Sequence, residues 1–154
     1  MTLDAWVKKR DPARNEAKNK LDDLPRSVTA HGKAVPFPFA DKNDYKKVFN
    51  NKVINSAIES ASKKSVKLSS LHAIQHSVKD KRVTEYLDYP VDRLIPEGTR
   101  DPKHRGLIDT PIVIHFKGKK YIHDGHHRLT AEKLAGKTHS LVRYVDLDNI
   151  IPSS

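Results

Sequence analysis

Cysteine is absent from the 154 residues, which excludes disulfide bonds and thiolate chemistry. Aromatic residues make up only 6%, with a single tryptophan. No apolar run approaches the roughly 18 residues that a membrane-spanning helix needs, and the N-terminus lacks the apolar centre of a signal peptide. We therefore expect an intracellular, cytoplasmic protein without a membrane partner.

Positive charge is in excess, with 29 Lys and Arg against 19 Asp and Glu and a formal net charge of +10. Such a balance favours polyanionic partners, nucleic acid or a nucleotide in particular, although it also serves solubility. The chain is long enough for one hydrophobic core with an appendage.

Residues 1–63 are predicted to form a helical N-terminal extension. Residues 13–24 carry mostly charge, which predicts a solvated helix; the alternative is an arm that docks on nucleic acid or a protein partner, with Trp6 as its anchor. Residues 44–62 are predicted to form one amphipathic helix that packs on the C-terminal domain. Its apolar stripe includes Val48, Phe49, Val53 and Ile58.

Residues 64–154 show the alternation of a mixed α/β (α+β) domain. Strands are predicted from residue 66 and over residues 111–116, 120–123 and 139–147, with a short helix over residues 80–87. Gly118 suits a tight hairpin between the second and third of these strands. The connection over residues 88–109 is long and basic, and we expect it to be a flap over the site. Its candidate nucleic-acid-binding residues are Arg100, Lys103 and Arg105.

The highest concentration of titratable side chains lies where a strand turns at Gly125 into a helix that ends at Gly136. The N–H groups of a first helical turn have no partner within the helix, and glycine lets a ligand approach the main chain. Gly125 and Arg128 are therefore predicted to bind a phosphate group. The alternative for Arg128 is a salt bridge to Asp124 or Glu132.

The same corner offers candidate catalytic residues. His126 is predicted to carry protons or bind a metal, because imidazole titrates near neutrality. His127 shares a helical face with apolar residues, so a hydrogen-bonded core histidine is the alternative to its catalytic role. Asp124 is predicted to act in catalysis and to bind Mg²⁺ or Mn²⁺, with helix capping as the alternative. Zinc binding by His123 and these two histidines is disfavoured, because ligands so crowded rarely converge.

Residues 124–131, Asp-Gly-His-His-Arg-Leu-Thr-Ala, and residues 134–137, Leu-Ala-Gly-Lys, resemble the signature of the ParB N-terminal domain. The Asp-Gly-His-His-Arg form is closest to that of ParB-like nuclease domains, including those encoded by phages. Residues 66–75 and 81–87 resemble the opening strand and first helix of that family. The resemblance implies a ParB/sulfiredoxin-like domain over residues 64–154. It also implies that Gln75 and His72, otherwise ordinary loop residues, line the phosphate pocket.

The family uses this pocket for several activities. Sulfiredoxin chemistry is excluded, because His126 stands where that family has its catalytic cysteine. The nucleotide-binding signature of ParB has Glu-Arg-Arg where this chain has His-His-Arg. The resemblance therefore does not support CTP hydrolysis, but it keeps a phosphate-binding arginine.

The first functional hypothesis is a nucleic-acid-binding protein of a phage or mobile element, with a phosphate or nucleotide pocket. In its enzymatic form this protein is a metal-dependent nuclease. The alternatives are a non-catalytic module, virion-associated or bound to a protein partner, and a kinase or switch that uses a nucleoside triphosphate. Each of the three needs the same anion-binding corner.

Overall fold

A computed structural model describes residues 11–27, 32–88 and 110–150, with the backbone alone for residues 11–14. The helices are α1 (Asp11–Asp23), α2 (Asn43–Lys46), α3 (Asn51–Glu59), α4 (Asp80–Asp88) and α5 (His126–Leu134). The strands are β1 (Lys33–Ala34), β2 (Ser62–Lys67), β3 (Leu71–Ala73), β4 (Ser77–Val78), β5 (Ile112–Phe116), β6 (Lys119–Asp124) and β7 (His139–Asp146). Two 3-10 turns span Leu68–Ser70 and Leu147–Asn149.

Several predictions concern residues outside these ranges. They are the anchor Trp6 and the nucleic-acid-binding residues Arg100, Lys103 and Arg105, which belong to the expected flap. In the part of the chain that the structure describes, no helix is both long and apolar enough to cross a membrane.

The main sheet has five strands in the order β2-β7-β5-β6-β3. Its pairing is mixed, because β5 is antiparallel to β6 but parallel to β7, and β3 is parallel to β6. Strands β1 and β4 form a separate antiparallel pair. Helices and mixed sheets together confirm the predicted α/β class.

Helices cover both faces of the sheet, so alternate residues of a central strand enter different clusters. Val113 and Ile122 pack with Leu129 of α5 on one face. Ile114 on the other face packs with Tyr45, which belongs to α2. This double burial explains why the central strands are apolar on both sides rather than alternating.

The predicted single helix over residues 44–62 is wrong, because the chain forms two helices there. Asn50 interrupts the segment: its Oδ1 accepts a hydrogen bond from Val53 N at 2.9 Å and caps α3. An asparagine at this position favours a new helix start over continuation. Phe49 is buried as predicted, with 2% of its surface exposed, whereas Val48 points outward with 40% exposed. The last residue of the predicted helix, Ser62, already belongs to β2.

The prediction of a solvated first helix is also wrong. Ala17 and Leu21 of α1 are buried in a cluster with Leu87 of α4 and Leu134 of α5. These two residues are four positions apart and so share one face, which is enough to attach a helix whose other positions are charged. The extension is thus packed onto the sheet-bearing part of the chain, and the proposed boundary after residue 63 falls inside β2.

The hairpin between β5 and β6 has the tight turn that Gly118 predicted. Lys117 and Gly118 both have positive φ angles, 49° and 79°, as a two-residue type I′ turn requires. This turn lies at the end of the sheet opposite to the β6–α5 corner.

Candidate functional site

The corner between β6 and α5 is built on Gly125, the N-cap residue of α5. Its φ of 100° and ψ of 25° lie in the left-handed region. A Cβ at this position would lie 2.7 Å from the Pro111 Cβ, so the position excludes a side chain for both conformation and space. The helical hydrogen bonds begin with Leu129 N to Gly125 O at 2.9 Å. No side-chain oxygen caps the helix at its N-cap residue.

Asp124 lies just before the corner and is exposed. It does not occupy the N-cap position, so the capping alternative is wrong. The group of candidate metal ligands within residues 11–27, 32–88 and 110–150 does not include Asp124. The structure therefore offers no further ligands for its predicted metal-binding role. Metal binding and catalysis by Asp124 stay predictions.

His126 holds the loop between β3 and β4 against the start of α5, and His127 holds the residue between β4 and α4. His126 Nε2 accepts a hydrogen bond from Ile74 N, and His127 Nε2 accepts one from Lys79 N, each at 3.1 Å. Both rings therefore carry their proton on Nδ1 when neutral. The hydrogen bond of the alternative for His127 is confirmed, but its ring is half-buried and not in the core; His126 makes the same kind of bond and is buried.

Burial keeps these two rings uncharged. Burial, with smaller effects of the neighbouring His127 and His123, lowers the pKa of His126 from 6.5 to about 4. Burial is also the main cause that lowers the pKa of His127, followed by the charges of Arg82 and Lys79. A base with a pKa near 4 is poorly matched to proton transfer at neutral pH. The geometry thus favours a positioning role for both histidines, and their catalytic role stays a prediction.

Basic side chains flank the corner on two sides. The pKa of His123 is lowered by burial and then by the charges of Lys46 and Lys42, against the opposing effect of Asp124. Arg82 and Lys79 act in the same way on the other side, at His127. At His127, Asp124 and Glu85 oppose these charges, and Arg82 Nη1 is paired with Glu85 Oε2 at 2.9 Å. The start of α5 therefore has basic side chains on two sides with acidic neighbours among them, and the helix dipole adds to the positive side.

Two tyrosines connect α2 to β6 beside the corner. The Tyr45 hydroxyl is hydrogen-bonded to His123 Nδ1 at 3.0 Å, and the Tyr121 hydroxyl donates to Asp44 Oδ2 at 2.9 Å. The two rings meet edge to face, with centroids 5.0 Å apart. Burial raises the pKa of Tyr45, and burial with the Asp44 hydrogen bond raises the pKa of Tyr121 to about 12. Sequence reasoning did not predict this array.

Arg128 is engaged in an ion pair within the protein. Its Nε lies 3.9 Å from Glu132 Oε2, one helical turn further on. Glu132 also accepts hydrogen bonds from Lys137 Nζ at 2.9 Å and Ser140 Oγ at 2.8 Å. This confirms the salt-bridge alternative, with Glu132 rather than Asp124 as the partner. Because only 8% of Arg128 is exposed, its predicted phosphate-binding role gains little support from accessibility.

Gln75 and His72 lie on the segment that adjoins the corner, since Ile74 between them bonds to His126. Gln75 Nε2 donates to Ser77 O at 2.7 Å within the same loop. His72 belongs to β3 opposite Tyr121 in β6, and its buried Nδ1 has no hydrogen-bond partner among the residues that are described. The structure thus places both residues near the corner, and their contact with a phosphate stays a prediction.

The candidate metal ligands of the described ranges lie elsewhere. They are His115, Asp146 and Asp148, whose ligand atoms are all within 4.8 Å of one another. His115 lies three residues along β5 from Ile112, the residue paired with Asp124, which is a separation of roughly 10 Å at about 3.3 Å per residue. Sequence reasoning missed this group, and the signals that point to it are a histidine at one strand end and an Asp-x-Asp pair at another.

Comparison with protein-family models, curated proteins and solved structures finds no match to this chain. The likeness to ParB domains thus remains one of short sequence segments, and what it implies about activity is a proposal.

Proposed function

We propose that the protein binds nucleic acid and that the β6–α5 corner accepts a phosphate group of the polynucleotide. The observation that carries this proposal is the start of α5 at Gly125, without a side-chain cap, between two pairs of basic residues.

The main chain provides the first part of the argument. A helix N-terminus presents N–H groups and the positive end of the helix dipole to an anion. Gly125 sets up this start of α5 through its left-handed backbone, and Pro111 fills the space where a Cβ would lie. The corner therefore suits a group with several acceptor oxygens, such as a phosphate.

The surrounding charges provide the second part. Lys42 and Lys46 lie on one side of the corner and Lys79 and Arg82 on the other, and these four basic residues outnumber Asp124 and Glu85, which oppose them at the same histidines. A ligand with successive phosphates is attracted by the basic residues on both sides at once, whereas an isolated phosphate is attracted only by those nearest to it. This favours a polynucleotide over a small anion, in agreement with the net charge of +10.

Binding is better supported than phosphodiester hydrolysis. The two corner histidines already accept backbone hydrogen bonds through Nε2, and the low pKa of His126 makes it a weak base at neutral pH. We therefore propose a binding module first and treat the metal-dependent nuclease as the alternative that the same experiment detects.

The test is fluorescence anisotropy with labelled single- and double-stranded oligonucleotides over a range of salt concentrations. Lys42→Gln with Lys46→Gln is the corner variant. Lys63→Gln with Lys67→Gln is the matched control, because it removes the same charge from exposed positions of β2, three strands from β6. We expect the corner variant to weaken binding and to reduce the salt dependence by about one counterion per lost phosphate contact.

Equal weakening by both double variants would mean that net charge, not the corner, binds the nucleic acid. Absence of binding by the unmodified protein at low salt would contradict the function as a whole. Parallel samples with Mg²⁺ or Mn²⁺ are examined for cleavage, and metal-dependent strand scission would favour the nuclease.

A further inference from the structure

A second group of polar side chains lies at the end of the sheet opposite to the corner. It consists of His115, the last residue but one of β5, Asp146 at the end of β7, and Asp148 in the 3-10 turn that follows. We propose that these residues bind a divalent transition-metal ion, with Zn²⁺ as the preferred ion. This inference is independent of the proposed nucleic-acid binding.

The sheet brings the three residues together. Strands β5 and β7 are parallel neighbours in which His115 pairs with Asp146. The chain then turns back, and Asp148 N donates to Asp146 Oδ1 at 3.1 Å. Both carboxylates thus reach the imidazole from a rigid strand end and a tight turn, not from mobile loops.

The distances between the ligand atoms suit a shared cation. His115 Nδ1 makes a long hydrogen bond of 3.3 Å with Asp146 Oδ1 and lies 3.6 Å from Asp148 Oδ2. Charge-assisted hydrogen bonds are shorter, at about 2.7–2.9 Å. Two ligand atoms at about 2.0–2.1 Å from one tetrahedral Zn²⁺ lie roughly 3.4 Å apart. One Nδ1–H group also cannot donate well to two carboxylates, whereas one cation contacts all three ligands.

Neighbouring groups orient both carboxylates toward the imidazole. Lys117 N donates to Asp148 Oδ1 at 2.8 Å, and Asn149 Nδ2 donates to Asp146 Oδ2 at 2.6 Å. These bonds leave Asp148 Oδ2 directed at His115 Nδ1, and Asp146 Oδ1 faces the same nitrogen while also accepting from Asp148 N. The His115 ring is itself stacked on Tyr144, with centroids 6.0 Å apart and planes inclined by 27°. Such outer contacts fix ligand geometry in protein metal sites.

The ligand types select the class of ion. One imidazole nitrogen with two carboxylate oxygens suits a first-row divalent ion, whereas Mg²⁺ and Ca²⁺ prefer oxygen ligands alone. Three protein ligands leave a position open on Zn²⁺ for water or for a partner's side chain. The side chains are 25%, 34% and 35% exposed for His115, Asp146 and Asp148, so an ion can enter from solvent.

Isothermal titration of Zn²⁺ into the untagged, chelator-treated full chain tests the site. We expect one Zn²⁺ to bind per chain, with Mg²⁺ failing to compete at equal concentration. His115→Gln and Asp148→Asn should each weaken Zn²⁺ binding at least tenfold. The amide introduced by Asp148→Asn keeps an oxygen able to accept from Lys117 N, so this change removes a ligand charge with little structural disturbance. His139→Gln is the matched control, because His139 lies at the other end of β7 and is exposed.

A second measurement does not depend on whether the variants fold. In ¹⁵N-labelled unmodified protein, Zn²⁺ should shift the His115 Nδ1 resonance more than the ring resonances of the other histidines. The proposal is overturned if the unmodified chain binds no Zn²⁺, if folded His115→Gln binds it as tightly as the unmodified chain, or if the His115 Nδ1 resonance does not move.

Discussion

The two ends of the central sheet use the same residue types, histidine and aspartate, under opposite electrostatic conditions. At the β6–α5 corner, His126 is buried and His127 is half-buried, and both accept backbone hydrogen bonds and lie near basic side chains. At the other end of the sheet, where the hairpin joins β5 to β6, His115 faces two carboxylates and remains partly exposed.

The difference shows that residue type alone does not define a site. Five polar residues within positions 123–128 made the corner the obvious catalytic candidate, yet two of its histidines position neighbouring backbone segments. The group of His115, Asp146 and Asp148 was missed in the sequence, because its members lie on β5, at the end of β7 and in the turn that follows. We therefore expect the β6–α5 corner to bind anions and the opposite end of the sheet to bind a cation, and each expectation can be tested separately.

The largest expected effect concerns the glycine on which the corner depends. Gly125→Ala should destabilise the fold by about 2–4 kcal/mol, because it combines a left-handed backbone with overlap against Pro111. Gly136→Ala is the control: its φ of 88° is also positive, but nothing lies within 4 Å of the added Cβ, so about 1–2 kcal/mol is expected. Urea unfolding measures both. Equal losses would mean that Pro111 does not restrict the corner.

The next effect is the pH dependence of stability caused by the covered histidines. The folded state lowers the pKa of His126 from 6.5 to about 4. The contribution of uncharged His126 to the free energy of unfolding is therefore fully present above pH 6.5 and is lost as the pH falls toward 4. The depression corresponds to about 3 kcal/mol as an upper value. Unfolding free energies across this pH range should therefore fall with acidification. His126→Gln should flatten the profile, while exposed His139→Gln should leave it unchanged.

A smaller effect distinguishes phosphate binding from metal-dependent chemistry at Asp124. This exposed carboxylate lies beside the corner and opposes its positive potential. If the corner only binds phosphate, Asp124→Asn should tighten oligonucleotide binding about two- to threefold at low salt, because a like charge is removed. If Asp124 binds a catalytic metal, the same change should abolish cleavage instead. Anisotropy and a cleavage assay on one preparation separate the two outcomes.

Local sequence signals were sufficient for the elements of the corner itself. Gly125 and the apolar pattern after it predicted the turn and the start of α5, and Gly118 predicted the hairpin. The break at Asn50 was missed, since the apolar spacing continues through it while a single side-chain cap starts a new helix.

Contacts between distant parts of the chain could not be predicted in this way. His126 bonds to Ile74, 52 residues away, and Tyr45 bonds to His123, 78 residues away. Both contacts depend on the strand order and on which helix covers which face. His115 reaches Asp146 for the same reason, since β5 and β7 are parallel neighbours without being consecutive. Burial then decides the charge of each histidine, and the sequence does not report burial directly.

Backbone amide NMR of the corner tests the central claim most directly. On addition of a short oligonucleotide to ¹⁵N-labelled protein, the amide resonances of His126, His127 and Arg128 should move more than those of β2, because phosphate oxygens would accept hydrogen bonds at the start of α5. The shifts should diminish in Lys42→Gln with Lys46→Gln. If the oligonucleotide binds and these three resonances stay in place while others move, the corner is a structural turn and the proposed site is wrong.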